Sequence, residues 1–407
     1  MASPKDKAAA AGKPASKGSH VYLIDGSGYI FRAYHALPPL TRPSDGLPVG
    51  AVHGFCAMLW KLLRETGELA PPTHLAVIFD YSAKTFRSDL FDGYKANRPE
   101  PPGDLIPQFP LVRDAVRAFN VACIEQEGYE ADDIIATYAL QAAEAGAEVT
   151  IVSSDKDLMQ LVQPGIIMYD TMKNKRIEEA EVEERFGVPP SKVVEVQALI
   201  GDSSDNVPGV PGIGVKTAAL LINEFGDLET LLARASEIKQ DKRRENLIQF
   251  ANQARLSKTL VMLDTHVPLD ETLDELAVRA PDAEALTAFM RKLEFTTLLR
   301  RVAEGLGAEL PEGMTPSPAP QRRKKNDYDH PLRRSPRGET GPPREHKVVG
   351  GSPAQLAVER ASKLEGVPFD RSNYETVTAA SRLADLLEAA RYQGHFAFRA
   401  KLNSPDP

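Results

Sequence analysis

Val149-Thr-Ile-Val-Ser-Ser-Asp155-Lys156-Asp157 is a short β-branched apolar run that breaks off into two carboxylates. Such a run, bounded so abruptly, reads as a buried strand. The same design occurs twice upstream: residues 21–24 run into Asp25, and residues 75–79 run into Asp80. Strands ending in Asp, with helical stretches between them, predict an α/β fold with a parallel-rich central sheet and helices on both faces. The C-terminal strand edge, where such sheets bind ligands, would then collect acids. Like charges gathered there repel one another unless a cation sits among them. The economical inference is a divalent metal site of the hard, oxygen-ligand kind.

A chain of 407 residues has room for two or three domains. Its 42% hydrophobic and 26% charged residues are an ordinary soluble balance. The net charge of -8 does not exclude a nucleic-acid partner, because acids can be spent on metal while basic residues cluster locally. Cys56 and Cys123 both stand in apolar surroundings, which points to buried thiols in a reducing compartment and away from a disulfide framework. No apolar stretch approaches the ~20 residues of a membrane helix, so no membrane partner is expected. Residues 1–19, rich in Ala, Lys, Pro and Ser, read as a disordered leader.

After Asp25, Gly26-Ser-Gly28 is expected to turn the chain into a segment carrying Arg32, and a Pro- and Gly-rich loop follows at 37–49. Residues 50–63 are helical by period. Residues 84–102, dense in Lys, Arg, Tyr and Asp, predict a mobile, partly helical segment over the sheet edge. A helix at 105–119 and a strand at 121–124 come next. Glu130, Asp132 and Asp133 then crowd the first turn of another helix. A helix dipole tolerates acids in that turn, but three of them ahead of an apolar helix favour ligands over simple capping.

Residues 193–200 form a further helix that ends in Gly201-Asp202-Ser-Ser-Asp205, a fourth acidic pair. Then comes Val207-Pro-Gly209-Val210-Pro-Gly212-Ile213-Gly214-Val-Lys216-Thr217, which fits two helices joined by a Gly-rich hairpin. Glycines let a backbone approach a phosphate closely, and the next helix offers free N–H groups. A plain helix-turn-helix would not need three glycines within six residues. The basic run at 239–244 alone is no more than a solvated face. Residues 306–365 carry Pro and basic runs at low hydrophobicity, as a disordered linker does. Residues 366–407 regain helical and strand patterns but are too few to bury an independent core.

Taken in order, Ile24-Asp25-Gly, Phe31-Arg32-Ala-Tyr-His, Phe79-Asp80, Tyr94-Lys95-Ala-Asn-Arg98, Glu130-Ala-Asp132-Asp133, Ser154-Asp155-Lys-Asp157 and Gly201-Asp202-Ser-Ser-Asp205-Asn resemble a known set. They are similar to the 5′-nucleases of the flap endonuclease family, as found in the N-terminal domain of bacterial DNA polymerase I. The resemblance covers roughly 20–305 and places an α/β catalytic domain at 20–190, with a helical arch near 84–102. It places a helix-hairpin-helix subdomain at 191–305.

The resemblance implies 5′-3′ exonuclease or flap endonuclease activity on DNA, and on RNA primers in hybrids, in replication and repair. It implies two divalent cations, Mg2+ or Mn2+, with Asp25, Asp80, Glu130, Asp132 and Asp133 around one and Asp155, Asp157, Asp202 and Asp205 around the other. Lys95 and Arg98 would contact the scissile phosphate, and Arg32 would assist near Asp25. Tyr94 would stack on a terminal base, the alternative being packing within the arch. Gly209, Val210, Gly212, Ile213, Gly214, Lys216 and Thr217 would hold duplex backbone, with K+ on hairpin carbonyls. A monomer acting in the cytoplasm beside the nucleoid is the matching expectation. Residues 366–407 look like the start of a proofreading domain in which Arg399-Ala400-Lys401 stands where Asp-x-Glu is required. The chain is then either a fragment of a polymerase or a nuclease-only form. The competing readings are a non-catalytic DNA-binding module, which predicts missing ligands, and a stand-alone RNase, against which the duplex-binding hairpin argues.

Overall fold

The computed structural model describes residues 14–65 and 69–308. The chain divides into two units, and the second, Gln321–Pro407, lies wholly outside the described residues, as do the linker beyond 308 and the expected proofreading start.

Six strands form one sheet in the order β3-β2-β1-β4-β5-β6: β1 His20–Asp25, β2 His74–Ile78, β3 Ala122–Ile124, β4 Glu148–Val152, β5 Ile166–Asp170 and β6 Lys175–Ile177. All neighbours run parallel except β5 and β6. The helices are α1 Gly26–Ala36, α2 Gly50–Arg64, α3 Phe86–Leu90, α4 Gln108–Ala118, α5 Ala131–Glu144, α6 Glu179–Phe186, α7 Val193–Ile200, α8 Val215–Phe225, α9 Leu228–Ala233, α10 Asp241–Gln249, α11 Ala251–Val261, α12 Ala283–Lys292 and α13 Thr296–Leu306.

Strand alternation divides the core. Val21 and Leu23 of β1 face α5 and the helices of the hairpin region. Tyr22 and Ile24 face α1, α2, α4, α12 and α13. Burial on both faces is why β1, β2 and β4 read as apolar runs and do not alternate. The hairpin helices are fused to the central sheet, since Val196, Leu199, Leu221, Ile222 and Leu247 share one continuous core with Val149 and Ile151.

Two expectations are corrected here. Gly26-Ser-Gly28 is not a turn ahead of a helix but the first turn of α1, and a Cβ on Gly26 would sit 2.4 Å from the Phe79 ring and 2.8 Å from the Ile78 carbonyl. The region 191–305 is not one subdomain, because α12 and α13 return to the sheet. Their apolar stripe of Leu286, Met290, Leu298, Leu299 and Val302 packs with Phe55, Leu59 and Phe119 on the α2–α4 side. At the other end, Ala15 donates its N–H to Asp274 at 3.2 Å, so the described end of the expected leader is tied to the body.

Parallel register aligns the strand ends. Asp25 pairs with Ile78, two residues before Asp80, and Ile24 pairs with Val152, three residues before Asp155. Because β2 and β4 lie on opposite sides of β1, the strand order reverses there, and the chain leaves the sheet towards both faces from one edge.

Candidate metal centre

Asp25 ends β1 and caps α1. Its Oδ1 accepts the Gly28 N–H at 2.8 Å, and its Oδ2 accepts the Ser153 hydroxyl at 2.9 Å. Burial first, and then the nearby Asp80 and Asp155 carboxylates, push its carboxyl up to about 6 despite those two bonds. Asp80 accepts from the Ser27 hydroxyl at 2.7 Å and from the Ala131 N–H at 2.9 Å, so it steadies the start of α5 from across the edge.

Asp132, in the first turn of α5, accepts no hydrogen bond and forms no ion pair among the described residues. Burial, followed by Asp155, Asp25, Asp80 and Glu130 in that order, raises its carboxyl far above the ordinary carboxylate range. A carboxylate facing four others with no donor of its own is what a cation would relieve.

The second cluster comes from the start of the 3-10 turn Asp157–Leu161 and from the loop after α7. Oxygens of Asp157, Asp202 and Asp205 lie within 4.8 Å of one another. Burial first, then Asp155, raises Asp157 to about 6, against bonds from Lys156 and Gln197. Burial would also raise Asp202, but the Lys156 ammonium and two bonds from Ser204, at 2.7 and 2.8 Å, outweigh it and hold the carboxyl low. Glu130, Asp132, Asp157, Asp202 and Asp205 line a hollow of about 20 Å3, enough for one water-sized occupant. Arg87 and Tyr94 also line it, and the five carboxylates around so small a hollow fit a hard divalent cation.

Asp133 does not join them, which corrects the expected ligand set. Its two oxygens accept from both terminal nitrogens of Arg87 at 2.7 and 2.8 Å, and also from the Asp264 and Glu130 N–H groups. It is fully buried and committed to structure.

The segment 84–102 contains α3 and otherwise turns, and it is docked onto the edge. Tyr94 is 8% exposed and donates its hydroxyl to Glu130 at 3.1 Å, while the Lys95 ammonium lies 5.1 Å from its ring centroid. In this arrangement the ring packs and presents no free face to a base. Lys95 pairs with Glu130 at 2.9 Å and Asp205 at 3.7 Å, and Arg98 pairs with Asp205. Burial pulls the Lys95 ammonium down, but Glu130 and Asp205 outweigh it and raise it above its ordinary value. Main-chain bonds complete the docking, from Lys95 N–H to Asp205 O at 2.8 Å and from the Asn206 side chain to Gly93 O at 2.7 Å. Arg32 lines a cleft of about 700 Å3 together with Asp25, Asp155 and Lys156, but its guanidinium donates to Thr171 at 2.5 Å.

In the hairpin, the glycines serve different ends. Gly209 is required by backbone packing, since a Cβ there would lie 2.3 Å from Ile200 O. Gly212 has φ +78. Among the described residues, a Cβ on Gly214 would meet nothing within 4 Å, and Gly214 precedes α8, which has no side-chain cap there. Val210 and Ile213 are buried anchors, whereas Lys216 is exposed and Thr217 half-buried. Asn246 and Gln253 donate to the carbonyls of Pro211 and Gly209 at 2.7 and 2.6 Å, so α10 and α11 brace the hairpin from behind.

Three participants escaped the sequence reading. Arg87 and Gln197 stand in no acidic motif, and nothing local marks them. Lys156 lies inside the Asp155-Lys-Asp157 motif and could have been suspected as an internal counter-ion.

A strand edge carrying convergent carboxylates beside a braced hairpin defines a metal-dependent nuclease architecture. The chain belongs to the 5'-3' exonuclease family: its N-terminal resolvase-like domain matches residues 20–187 and its C-terminal SAM fold matches residues 188–284. A 5'-3' exonuclease of Aquifex aeolicus is 34% identical over 282 residues, covering 69% of this chain and 94% of that protein. DNA polymerase I of Rhizobium leguminosarum is 53% identical over 409 residues, covering 96% of this chain, which spans only 40% of that polymerase's length. A bacteriophage T5 flap endonuclease structure, at 20% identity and a TM-score of 0.52, covers 70% of this chain and 99% of its own, and so shares the fold. No helix among the described residues is long and apolar enough to cross a membrane.

Proposed function

We propose that the chain is a structure-specific 5′ nuclease of DNA. It would hydrolyse phosphodiesters at 5′ ends, nicks and flap junctions, and RNA primers in hybrids, leaving 5′-phosphate and 3′-hydroxyl ends. The observation that carries this reading is the convergence on one edge of eight carboxylates: Asp25, Asp80, Glu130, Asp132, Asp155, Asp157, Asp202 and Asp205. Asp25, Asp80, Asp132 and Asp155 would hold one divalent cation. Asp157, Asp202 and Asp205 would hold another, with Glu130 between them. Mg2+ or Mn2+ suits such oxygen ligands. Two such cations supply an activated water, a polarised phosphate and a stabilised leaving 3′-oxygen.

The chain's own residues bind and orient. Lys95 and Arg98, now paired to Glu130 and Asp205, would exchange those carboxylates for the scissile phosphate once cations take the acids. Arg32 would leave Thr171 for a neighbouring phosphate. Tyr94 would hold Lys95 and Glu130 in place by packing, and its ring would reach a base only if this segment lifted. The exposed N-terminus of α8, with Gly212, Gly214, Lys216 and Thr217, would grip duplex backbone without reading sequence. Val210 and Ile213 would seat it. The Pro211 and Gly209 carbonyls already accept side-chain bonds, so K+ at the hairpin would lean on the others.

A role in replication and repair belongs to the same proposal and is supported by the likeness to DNA polymerase I; a monomer acting in the cytoplasm near the nucleoid is proposed with it. The test is a labelled 5′-flap duplex incubated with Mg2+, with and without EDTA. Cleavage near the junction, abolished by EDTA, is expected. An intact flap in Mg2+ refutes the proposal.

A further inference from the structure

Gln197 stands on α7, five residues before Asp202, and is 1% exposed. Its amide nitrogen donates to Asp157 Oδ1, and its amide oxygen is buried without a partner among the described residues. Leaving a buried acceptor unpaired costs about 1–3 kcal/mol, and such groups are rare enough to need a reason. A flipped amide does not remove the orphan, because it would press the oxygen against a carboxylate. One short helix thus supports both sides of the Asp157–Asp202–Asp205 cluster, delivering Asp202 from its end and touching Asp157 from its body.

We propose that Gln197 is a positioning residue for a divalent cation at this cluster. Its N–H fixes the rotation of the Asp157 carboxylate so that the remaining lone pairs face the hollow. A neutral amide does this without adding charge to a site already crowded with acids. The inference rests on the metal reading above and refines it. Outer-shell partners of this kind typically change metal affinity about 10–100-fold.

The test is calorimetric titration of Mn2+ into the metal-free full chain, together with thermal melting in EDTA and in saturating Mn2+. In Gln197→Leu, one class of Mn2+ sites is expected to weaken 10-fold or more, while the other stays within about twofold. In Gln197→Glu, the melting temperature should fall in EDTA, where a further carboxylate faces Asp157, and recover in Mn2+, where a cation neutralises both. A merely structural glutamine would lower melting equally in both conditions. Unchanged Mn2+ binding in Gln197→Leu, or a Gln197→Glu defect that Mn2+ does not repair, overturns the proposal. Absence of Mn2+ binding by the wild-type chain would instead overturn the metal reading on which it rests.

Discussion

Arg87 closes on Asp133 with both terminal nitrogens of its guanidinium, at 2.7 and 2.8 Å, in a pair that solvent does not reach. The same guanidinium donates to the carbonyls of Leu260 and Met262 at 2.7 and 2.9 Å, so it joins α3, α5 and the end of α11. Breaking a buried pair leaves one charge uncompensated, at about 3–5 kcal/mol. Asp133→Asn should therefore lower urea-unfolding stability in EDTA by about that amount, while the folded fraction keeps both classes of Mn2+ sites. Loss of a metal class at unchanged stability would restore Asp133 to the ligands.

Metal-free stability should depend on pH through Asp25 and Asp157. Both carboxyls are raised to about 6 in the folded chain from an ordinary value near 3.8, chiefly by burial and then by neighbouring carboxylates. A raised acid means that the folded state binds the proton more tightly than the unfolded one, so stability is lost as pH rises from about 4 through about 6. Asp132 acts in the same direction. Melting temperatures in EDTA should fall across that window. Saturating Mn2+, which favours the charged carboxylates, should flatten the profile at its upper end. A profile in EDTA that rises over the same window would remove the crowded-acid account.

The hairpin offers a separation of fold from binding. Gly209→Ala places a methyl 2.3 Å from Ile200 O and should destabilise by about 1–3 kcal/mol. Gly214→Ala meets open space at an ordinary φ of -101 and should leave stability nearly unchanged. It should still weaken duplex binding if phosphate sits against the start of α8. Lys216→Ala should reduce the slope of log affinity against log salt by about 0.9. Measuring duplex affinity at several salt concentrations checks both. Unaltered affinity and slope in Gly214→Ala and Lys216→Ala would move the duplex elsewhere.

Much of this arrangement could be read from the sequence, for definite reasons. Strand followed by Asp survives translation into structure because parallel register forces the residues after Ile24, Ile78 and Val152 to one edge. What failed was the reading of neighbours. Asp132 and Asp133 are adjacent in sequence, yet α5 turns one to the edge and the other to an arginine 46 residues upstream. The Tyr94 side chain looked like a platform because aromatic residues in a basic segment can stack, but its hydroxyl found Glu130 and its ring was buried. The return of α12 and α13 to the sheet was not legible because an amphipathic stripe does not say which surface it will cover.

Lys156 gives the sharpest remaining test of how the cation cluster is balanced. Its ammonium pairs with Asp202 and lies 3.4 Å from Asp157, so a single positive charge is shared by two of the three acids whose oxygens lie within 4.8 Å of one another. A divalent cation entering there must share those carboxylates with a resident charge or displace it. If Lys156 is a stand-in counter-ion, Lys156→Met should lower melting in EDTA, because the acids lose their neutraliser. The same change should tighten Mn2+ at this cluster, because a competing positive charge is gone and Coulomb attraction between Mn2+ and the acids is less opposed. A residue needed to shape the site would behave differently: its removal would weaken Mn2+ as well as the apo fold. Calorimetric titration of the variant decides between the two by the sign of the change in affinity. Tighter binding supports the counter-ion account, and weaker binding refutes it.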